Sequence, residues 1–144
     1  MAKGAKKELI NGLNDDLAHE YQAIISYLLY SKLVHGAVRM ELGQFFEGEI
    51  ADELGHAQFL AQKIVALGGT PTTEPAAVKL PKENREMLEE SLKSEKETIE
   101  RYTRRIAQAE AAGEVGLKID LEGLVSDETR HKDDLERILY GWRE

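Results

Sequence analysis

A five-residue motif, Asp-Glu-x-x-His, occurs twice in this sequence, as DELGH at residues 52–56 and as DETRH at residues 127–131. Residues three apart lie on the same face of an α-helix, so the carboxylate of Glu53 and the imidazole of His56 are able to bind one metal ion. Carboxylate and imidazole groups are common ligands of divalent transition metals. The repeated motif therefore predicts metal coordination, although a single copy on a charged helix is usually a solvated pair.

Each motif also has an upstream glutamate at a fixed distance. Glu20 precedes Glu53 by 33 residues, and Glu95 precedes Glu128 by the same 33. Chance does not readily produce such a matched set twice on an apolar helix stripe. Two divalent cations would balance the charges of four carboxylates, which are costly to bury together without metal. The sequence thus predicts a dinuclear site with six ligands: Glu20, Glu53, His56, Glu95, Glu128 and His131.

Residues around the predicted ligands suggest how those ligands are held. Asp52 and Asp127 directly precede the motif glutamates, and each is expected to accept the second imidazole proton of the histidine on the opposite helix. Tyr27 and Tyr102 lie seven residues after the upstream glutamates. They either donate a hydrogen bond to a glutamate ligand, supply an electron during oxidation, or pack in the core. Glu49, one helical turn before the first motif glutamate, is interpreted as either a transient ligand at the site entrance or a solvated side chain.

Other ionisable residues fit the pattern less well. Glu97 and Glu100 are the local rivals of Glu95, but they lie off the apolar stripe and lack the repeated spacing. The choice among these three glutamates stays open at this point. His19 and His35 have no partners at motif spacing, so they are expected on the surface.

The elements that must position these residues are helices. Apolar residues recur at helical spacing in four segments separated by glycine-bearing breaks, which predicts helices over about residues 5–34, 38–67, 82–112 and 114–140. Only a few residues join the first two and the last two, so each pair is predicted to be an antiparallel hairpin. The connection over residues 68–81, at about 3.3 Å per residue, is long enough to run the length of the bundle.

The pattern as a whole predicts one all-α domain over residues 1–144, a four-helix bundle with up-down, long crossover, up-down topology. Residues equidistant from an antiparallel turn lie at equal height, so Glu20 is expected beside Glu53, and Glu95 beside Glu128. Motif and spacing repeat with an offset of 75 residues. The bundle is therefore interpreted as a duplicated helical hairpin whose two halves bring the ligands to its centre.

Composition excludes several classes of site. The absence of cysteine rules out thiolate metal sites, iron-sulfur clusters, thiol nucleophiles and disulfides. A formal net charge of -8 disfavours nucleic-acid binding. No run of 18 apolar residues and no signal-peptide pattern is present, so we expect a cytoplasmic protein without a membrane span.

Four segments, EYQAIISY, DELGH, EKETIERY and DETRH, resemble the ferritin-like superfamily and most of all the bacterioferritins and Dps-like di-iron proteins. The resemblance implies a ferritin-like bundle and a ferroxidase centre whose six ligands hold two iron ions per chain. It implies an oxidoreductase that converts Fe(II) to Fe(III) with dioxygen or hydrogen peroxide. It also implies a dimer-based homo-oligomeric cage for iron storage.

Two departures from the bacterioferritin pattern limit which properties of that family we expect in this protein. The methionine that binds haem in that family is replaced by Leu54, so haem is not expected. That family has a short fifth helix, which we do not expect in the 13 residues that follow His131. This leaves open whether the assembly is a dimer, a twelve-subunit or a twenty-four-subunit cage.

Other functions use the same ligands. Manganese would accept them and give a catalase-like enzyme, and a rubrerythrin-like peroxidase or an oxidase of organic substrates would also contain such a centre. A helical assembly protein whose glutamates and histidines are structural is the binding-module alternative, and it predicts no metal uptake.

Overall fold

The structure is a computed structural model that describes residues 2–143. Within that range the chain forms four α-helices and no strand. The helices are α1 (Ala2–Leu33), α2 (Arg39–Ala66), α3 (Asn84–Ala111) and α4 (Val115–Leu139). The predicted all-α four-helix bundle with a long crossover is confirmed.

Glycines at the ends of the helices reverse the chain. Gly36, Gly68 and Gly113 have φ values of 82°, 92° and 75°, in the left-handed region that glycine adopts without a steric penalty. Each of the three lies just beyond a helix C-terminus, where such a residue ends the helix. Two of them form the tight turns of the hairpins, and Gly68 opens the crossover.

The start of α3 differs from the predicted boundary. We expected a helix from about residue 82, but the helix begins at Asn84. The side chain of Asn84 accepts a hydrogen bond from the backbone N–H of His35 at 3.1 Å and donates one to its carbonyl at 2.7 Å. These two bonds fix the first residue of α3 to the turn between α1 and α2. The first helix also begins earlier than expected, at Ala2 instead of residue 5.

The crossover segment runs along α1 from one end of the bundle towards the other. Its hydrogen bonds to α1 begin at Asn14 and end at Tyr30. Asn14 bonds the backbone carbonyl of Thr70 at 3.0 Å and the N–H of Thr72 at 2.8 Å. The Tyr30 hydroxyl donates to the carbonyl of Lys79 at 2.7 Å. The fourteen-residue connection is therefore an ordered strap that packs against α1.

Two apolar clusters fill the bundle, one on each side of a polar centre. The first cluster includes Leu9, Leu13, Leu17, Leu60, Ile64, Leu117 and Leu121. The second cluster includes Tyr30, Phe46, Met87, Leu88 and Leu135. In every helix the predicted metal ligands lie between residues of the first cluster and residues of the second. Each fully buried leucine contributes roughly 1.5–3 kcal/mol to folding, so the apolar clusters can offset the cost of the polar residues between them.

None of the helices within residues 2–143 has the continuous apolar stretch that a membrane-spanning helix requires.

Candidate metal centre

The six predicted ligands converge at the middle of the bundle, one from each of α1 and α3 and two from each of α2 and α4. All six side chains are buried, with at most 5% of their surface exposed. Their donor atoms form two groups of four, and the atoms within each group lie within 4.8 Å of one another. The groups are Glu20, Glu53, His56 and Glu128, and Glu53, Glu95, Glu128 and His131. Glu53 and Glu128 belong to both groups, so these two carboxylates lie between two potential metal positions.

The first position is surrounded by residues from three helices. His56 Nδ1 lies 3.0 Å from Oε1 of Glu128, 3.7 Å from Oε2 of Glu20 and 3.8 Å from Oε1 of Glu53. A cation among these atoms would have one imidazole ligand, one carboxylate of its own and two that it shares.

The second position repeats this arrangement in the other half of the bundle. His131 Nδ1 lies 3.4 Å from Oε1 of Glu53, 3.7 Å from Oε1 of Glu128 and 3.8 Å from Oε2 of Glu95. The two imidazole centroids are 6.5 Å apart. The two half-sites are therefore neighbours related by the duplication.

Buried donor atoms without hydrogen-bond partners test whether this residue set fits a metal pair. All six ligands have at least one such atom: Glu20 Oε2, Glu53 Oε1, His56 Nδ1, Glu95 Oε2, both carboxylate oxygens of Glu128, and His131 Nδ1. An unpaired buried polar atom costs about 1–3 kcal/mol, and more when it is charged. These are the same atoms that face the two positions, so two cations would satisfy most of them at once. The donor set fits a dinuclear metal site.

Two aspartates orient the histidines. His56 Nε2 lies 3.2 Å from Oδ2 of Asp127, and His131 Nε2 lies 3.0 Å from Oδ2 of Asp52. An ionised carboxylate only accepts hydrogen bonds, so each Nε2 carries the proton and donates it. When a ring is neutral, as a metal ligand must be, its lone pair is then on Nδ1, which faces the centre.

Two tyrosines hold the glutamates that are not shared. The Tyr27 hydroxyl donates to Oε1 of Glu95 at 2.5 Å, and the Tyr102 hydroxyl donates to Oε1 of Glu20 at 2.5 Å. Burial and the nearby carboxylates raise the pKa of both tyrosines well above the usual value, so they keep their protons. The geometry displays both a hydrogen bond from each tyrosine to a predicted glutamate ligand and packing of the rings in the apolar clusters. Each of these bonds also ties one hairpin to the other.

The metal-free centre retains protons. Burial, followed by the charges of Glu20 and Glu95, raises the pKa of Glu53 well above its usual value. Burial alone would lower the pKa of His131, but the carboxylates of Glu95, Glu49 and Asp52 raise it to about 9. A metal that binds here must displace these protons, because it competes for the same lone pairs.

Glu49 lies at the outer edge of the centre, where its Oε2 is 3.1 Å from Nε2 of His131. Its side chain is 12% exposed. Burial raises its pKa to about 7, although the charge of His131 opposes the shift. The corresponding residue in the second half, 75 positions later, is Leu124, so this carboxylate has no counterpart there. Of its two interpretations, this environment favours a place at the site over a solvated side chain.

Several other candidates lie away from the centre. Glu97 and Glu100 are exposed and Glu95 is buried, so the two rivals do not enter either ligand group. His35 is exposed as expected, whereas His19 is half-buried, because its Nδ1 bonds the Asp15 carbonyl one turn earlier at 2.8 Å. Leu54, which replaces the haem-binding methionine of the bacterioferritin pattern, is 48% exposed on the outside of α2.

A buried ion pair next to the centre was not anticipated from the sequence. Arg105 donates to both carboxylate oxygens of Asp16, from Nε at 2.8 Å and from Nη2 at 3.0 Å. The sequence spacing does indicate that both residues are interior, because Asp16 is four residues before Glu20 and Arg105 is three residues after Tyr102. Both therefore lie on helix faces already assigned to the interior.

Comparisons with known proteins agree with this geometry. The ferritin family model, described as a ferritin-like domain, matches residues 10–143. A bacterioferritin of Streptomyces coelicolor is 31% identical over 133 residues, which cover 92% of this chain and 80% of that protein.

Two solved structures extend the comparison to three dimensions. A ferritin-like, diiron-carboxylate protein from Bacillus anthracis is 51% identical and superimposes with a TM-score of 0.92, over 94% of this chain and 97% of that one. A bacterioferritin from Desulfovibrio desulfuricans, solved with its diiron site in different catalytic states, is 25% identical with a TM-score of 0.86, over 96% of this chain and 81% of that one. The chain therefore belongs to the ferritin family, as a ferritin-like domain related to the bacterioferritins.

Proposed function

We propose that this protein is a ferroxidase that binds two Fe(II) ions per chain, oxidises them with dioxygen or hydrogen peroxide, and sequesters the Fe(III) product. One observation carries the proposal above the others. The buried donor atoms that lack hydrogen-bond partners converge in two overlapping groups that share Glu53 and Glu128. A metal pair would satisfy most of these unpaired oxygens and nitrogens at one place.

Each ligand has a distinct role in this proposal. Glu20 and His56 would hold one ion, and Glu95 and His131 would hold the other. The shared carboxylates of the two motif glutamates would keep the ions close enough to deliver two electrons to one oxidant. Two Fe(II) ions supply those electrons, which with two protons reduce dioxygen to hydrogen peroxide, or hydrogen peroxide to two molecules of water.

Residues around the ligands prepare the site for this reaction. Asp52 and Asp127 hold the two imidazole rings in the tautomer that offers Nδ1 to the ion. The hydroxyls of Tyr27 and Tyr102 restrain the glutamates that bind one ion each. The bundle excludes bulk water from the centre, which strengthens the electrostatic attraction between ligands and cations.

Anaerobic titration with Fe(II), followed by air, tests the proposal. We expect two ions to bind per chain and to be oxidised on exposure to air. We expect Glu53→Ala to weaken binding and slow oxidation by at least about tenfold, because the carboxylate serves both positions. Glu97→Ala is the matched control, since that glutamate is exposed and outside the ligand groups. The absence of bound iron at the end of the Fe(II) titration, or equal oxidation rates in the two variants, would contradict a ferroxidase centre at this place.

Sequestration is tested by sedimentation of the protein before and after iron loading. We propose that copies of the chain assemble into a homo-oligomer that retains the oxidised iron. A large particle that becomes denser with iron is the expected result. Two oxidised ions per chain on a small species would instead indicate an oxidase without storage. Metal analysis after aerobic purification separates iron from manganese, which would accept the same ligands.

A further inference from the structure

Arg101 is a buried cation without an ion-pair partner among residues 2–143. Its surface is 7% exposed, and no carboxylate oxygen of the described residues lies within 4.0 Å of its guanidinium. Nη2 donates one hydrogen bond to Oγ1 of Thr98 at 2.8 Å, and the buried Nε has no partner. Arg105, one turn later on the same helix, is paired with both oxygens of Asp16. The charge of Arg101 acts on the carboxylate of Asp16, whose pKa it helps to lower against the effect of burial, but that carboxylate is already bound by Arg105. A buried guanidinium without an ion-pair partner of its own is energetically costly.

The bundle itself does not require a cation at this place. The residue that corresponds to Arg101 in the first half, 75 positions earlier, is Ser26. That half packs its helices around a small neutral side chain. The hairpin fold alone therefore does not account for the positive charge in the second half.

Arg101 lines a cavity of about 290 Å³ between α1, α3 and the crossover strap. Lys79 and Lys93 line the same cavity, as do the carboxylates of Glu90 and Glu97. Nζ of Lys79 lies 4.0 Å from Oε1 of Glu90. Lys93 has no ion pair within the described part of the chain. Three permanent cations face two carboxylates here, in a protein whose formal net charge is -8. The cavity is a positively charged place on an acidic molecule.

We propose that this cavity binds a small tetrahedral oxyanion of the phosphate class. Arginine presents several N–H donors in a planar fork that matches phosphate oxygens, and the attraction is strongest where water is excluded. The hydroxyl of Ser94 and the side-chain amide of Gln22 line the same cavity. One N–H of that amide donates to the carbonyl of Ala77, so its other N–H and the hydroxyl are the neutral donors. An anion bound there would compensate the charge of Arg101 and would bridge α1, α3 and the strap.

Calorimetric titration with inorganic phosphate at constant ionic strength tests the site. The full-length protein is titrated as purified and again after its iron has been removed, because phosphate also binds iron. We expect saturable binding of the same affinity in both preparations. Arg101→Met keeps the length of the side chain and removes its charge, and we expect it to weaken binding by roughly tenfold or more. Arg104→Met is the matched control, since Arg104 is exposed on the same helix and its loss changes the net charge equally.

Three results would overturn the proposal. These are the absence of saturable binding, binding that disappears with the iron, and equal affinity in the two arginine variants. If Arg101→Met does not fold, Lys93→Met replaces it, and an affinity unchanged by that substitution counts against the site. A parallel titration with glycerol phosphate distinguishes free phosphate from the phosphate group of a larger molecule. Tighter binding of either ligand, lost in the arginine variant, supports the site and identifies its source.

Discussion

The two nitrogens of each histidine in the centre have different tasks. Nδ1 faces the carboxylates of the proposed metal positions, and Nε2 donates to an aspartate outside them. For His56 that aspartate is Asp127, which has a pKa lowered by the histidine and by Arg130 despite the opposing effect of burial. Asp127 therefore stays ionised and keeps accepting from the ring.

Replacing this aspartate tests the orientation. We expect Asp127→Asn to weaken metal binding by about 10–100-fold, because the amide cannot hold the ring in the same tautomer with the same strength. Anaerobic Fe(II) titration measures the change. Asp120→Asn, an exposed substitution on the same helix, is expected to bind normally. Normal affinity in Asp127→Asn would show that the ring is held by packing alone.

Protons in the metal-free centre give it a defined pH dependence. The pKa of His131 is raised from 6.5 to about 9, so its stabilising contribution is complete below pH 6.5 and is lost as the pH rises through 9. The pKa of Glu49 is raised from 4.5 to about 7, so the native state favours its protonated form and stability also falls as the pH rises through 7. Both groups therefore make the metal-free protein less stable as the pH rises.

We expect the metal-free protein to melt at a lower temperature at pH 9 than at pH 6. A bound divalent metal should remove most of that difference, since it replaces the protons, and its apparent affinity should rise with pH over the same window. Calorimetric scans of metal-free and metal-saturated protein at the two pH values measure this. A metal-free protein that melts higher at pH 9 would show that the sign is wrong.

At the scale of the helices, each element alternates apolar, polar and apolar segments. Along α1, for example, Leu17 belongs to the first cluster, Glu20 to the centre and Tyr30 to the second cluster. This order was predictable from helical periodicity and the repeated spacing, because both are local properties of the chain. The start of α3 was not predictable in this way, since its contact to His35 joins segments 49 residues apart.

The ion pair between α1 and α3 could not be predicted from the sequence either. Asp16 and Arg105 are 89 residues apart, and their pairing depends on which faces of two distant helices meet. Burial raises the pKa of Asp16 against the effect of Arg105. The two hydrogen bonds from Arg105 favour the ionised form of this carboxylate, which burial disfavours.

Breaking this pair is expected to destabilise the bundle more than a surface change does. Asp16→Ala leaves the guanidinium of Arg105 buried without its partner, which typically costs about 3–5 kcal/mol. Denaturant unfolding of the metal-free protein measures the loss, with Asp15→Ala, on the exposed side of α1, as the control. The double substitution Asp16→Leu with Arg105→Met should recover much of the stability. A loss in Asp16→Ala as small as that in the control would contradict this description.

At the scale of the whole molecule, duplication makes one bundle from two hairpins that complete each other. The Tyr27 contact to Glu95 and the Tyr102 contact to Glu20 run between the halves, as do the contacts of both histidines with the opposite aspartates. Spacing within each hairpin predicted which six residues would converge. It could not predict which carboxylates would be shared, because that depends on the distance between hairpins.

The central claim is that Glu53 and Glu128 lie between two metal ions. A crystal structure of the iron-loaded protein, with anomalous scattering recorded at the iron edge, tests it most directly. The account predicts two strong anomalous peaks on either side of this carboxylate pair, one beside Nδ1 of His56 and one beside Nδ1 of His131. A single peak beside Nε2 of His131, near Glu49 and Asp52, would contradict it, as would iron found only on the surface.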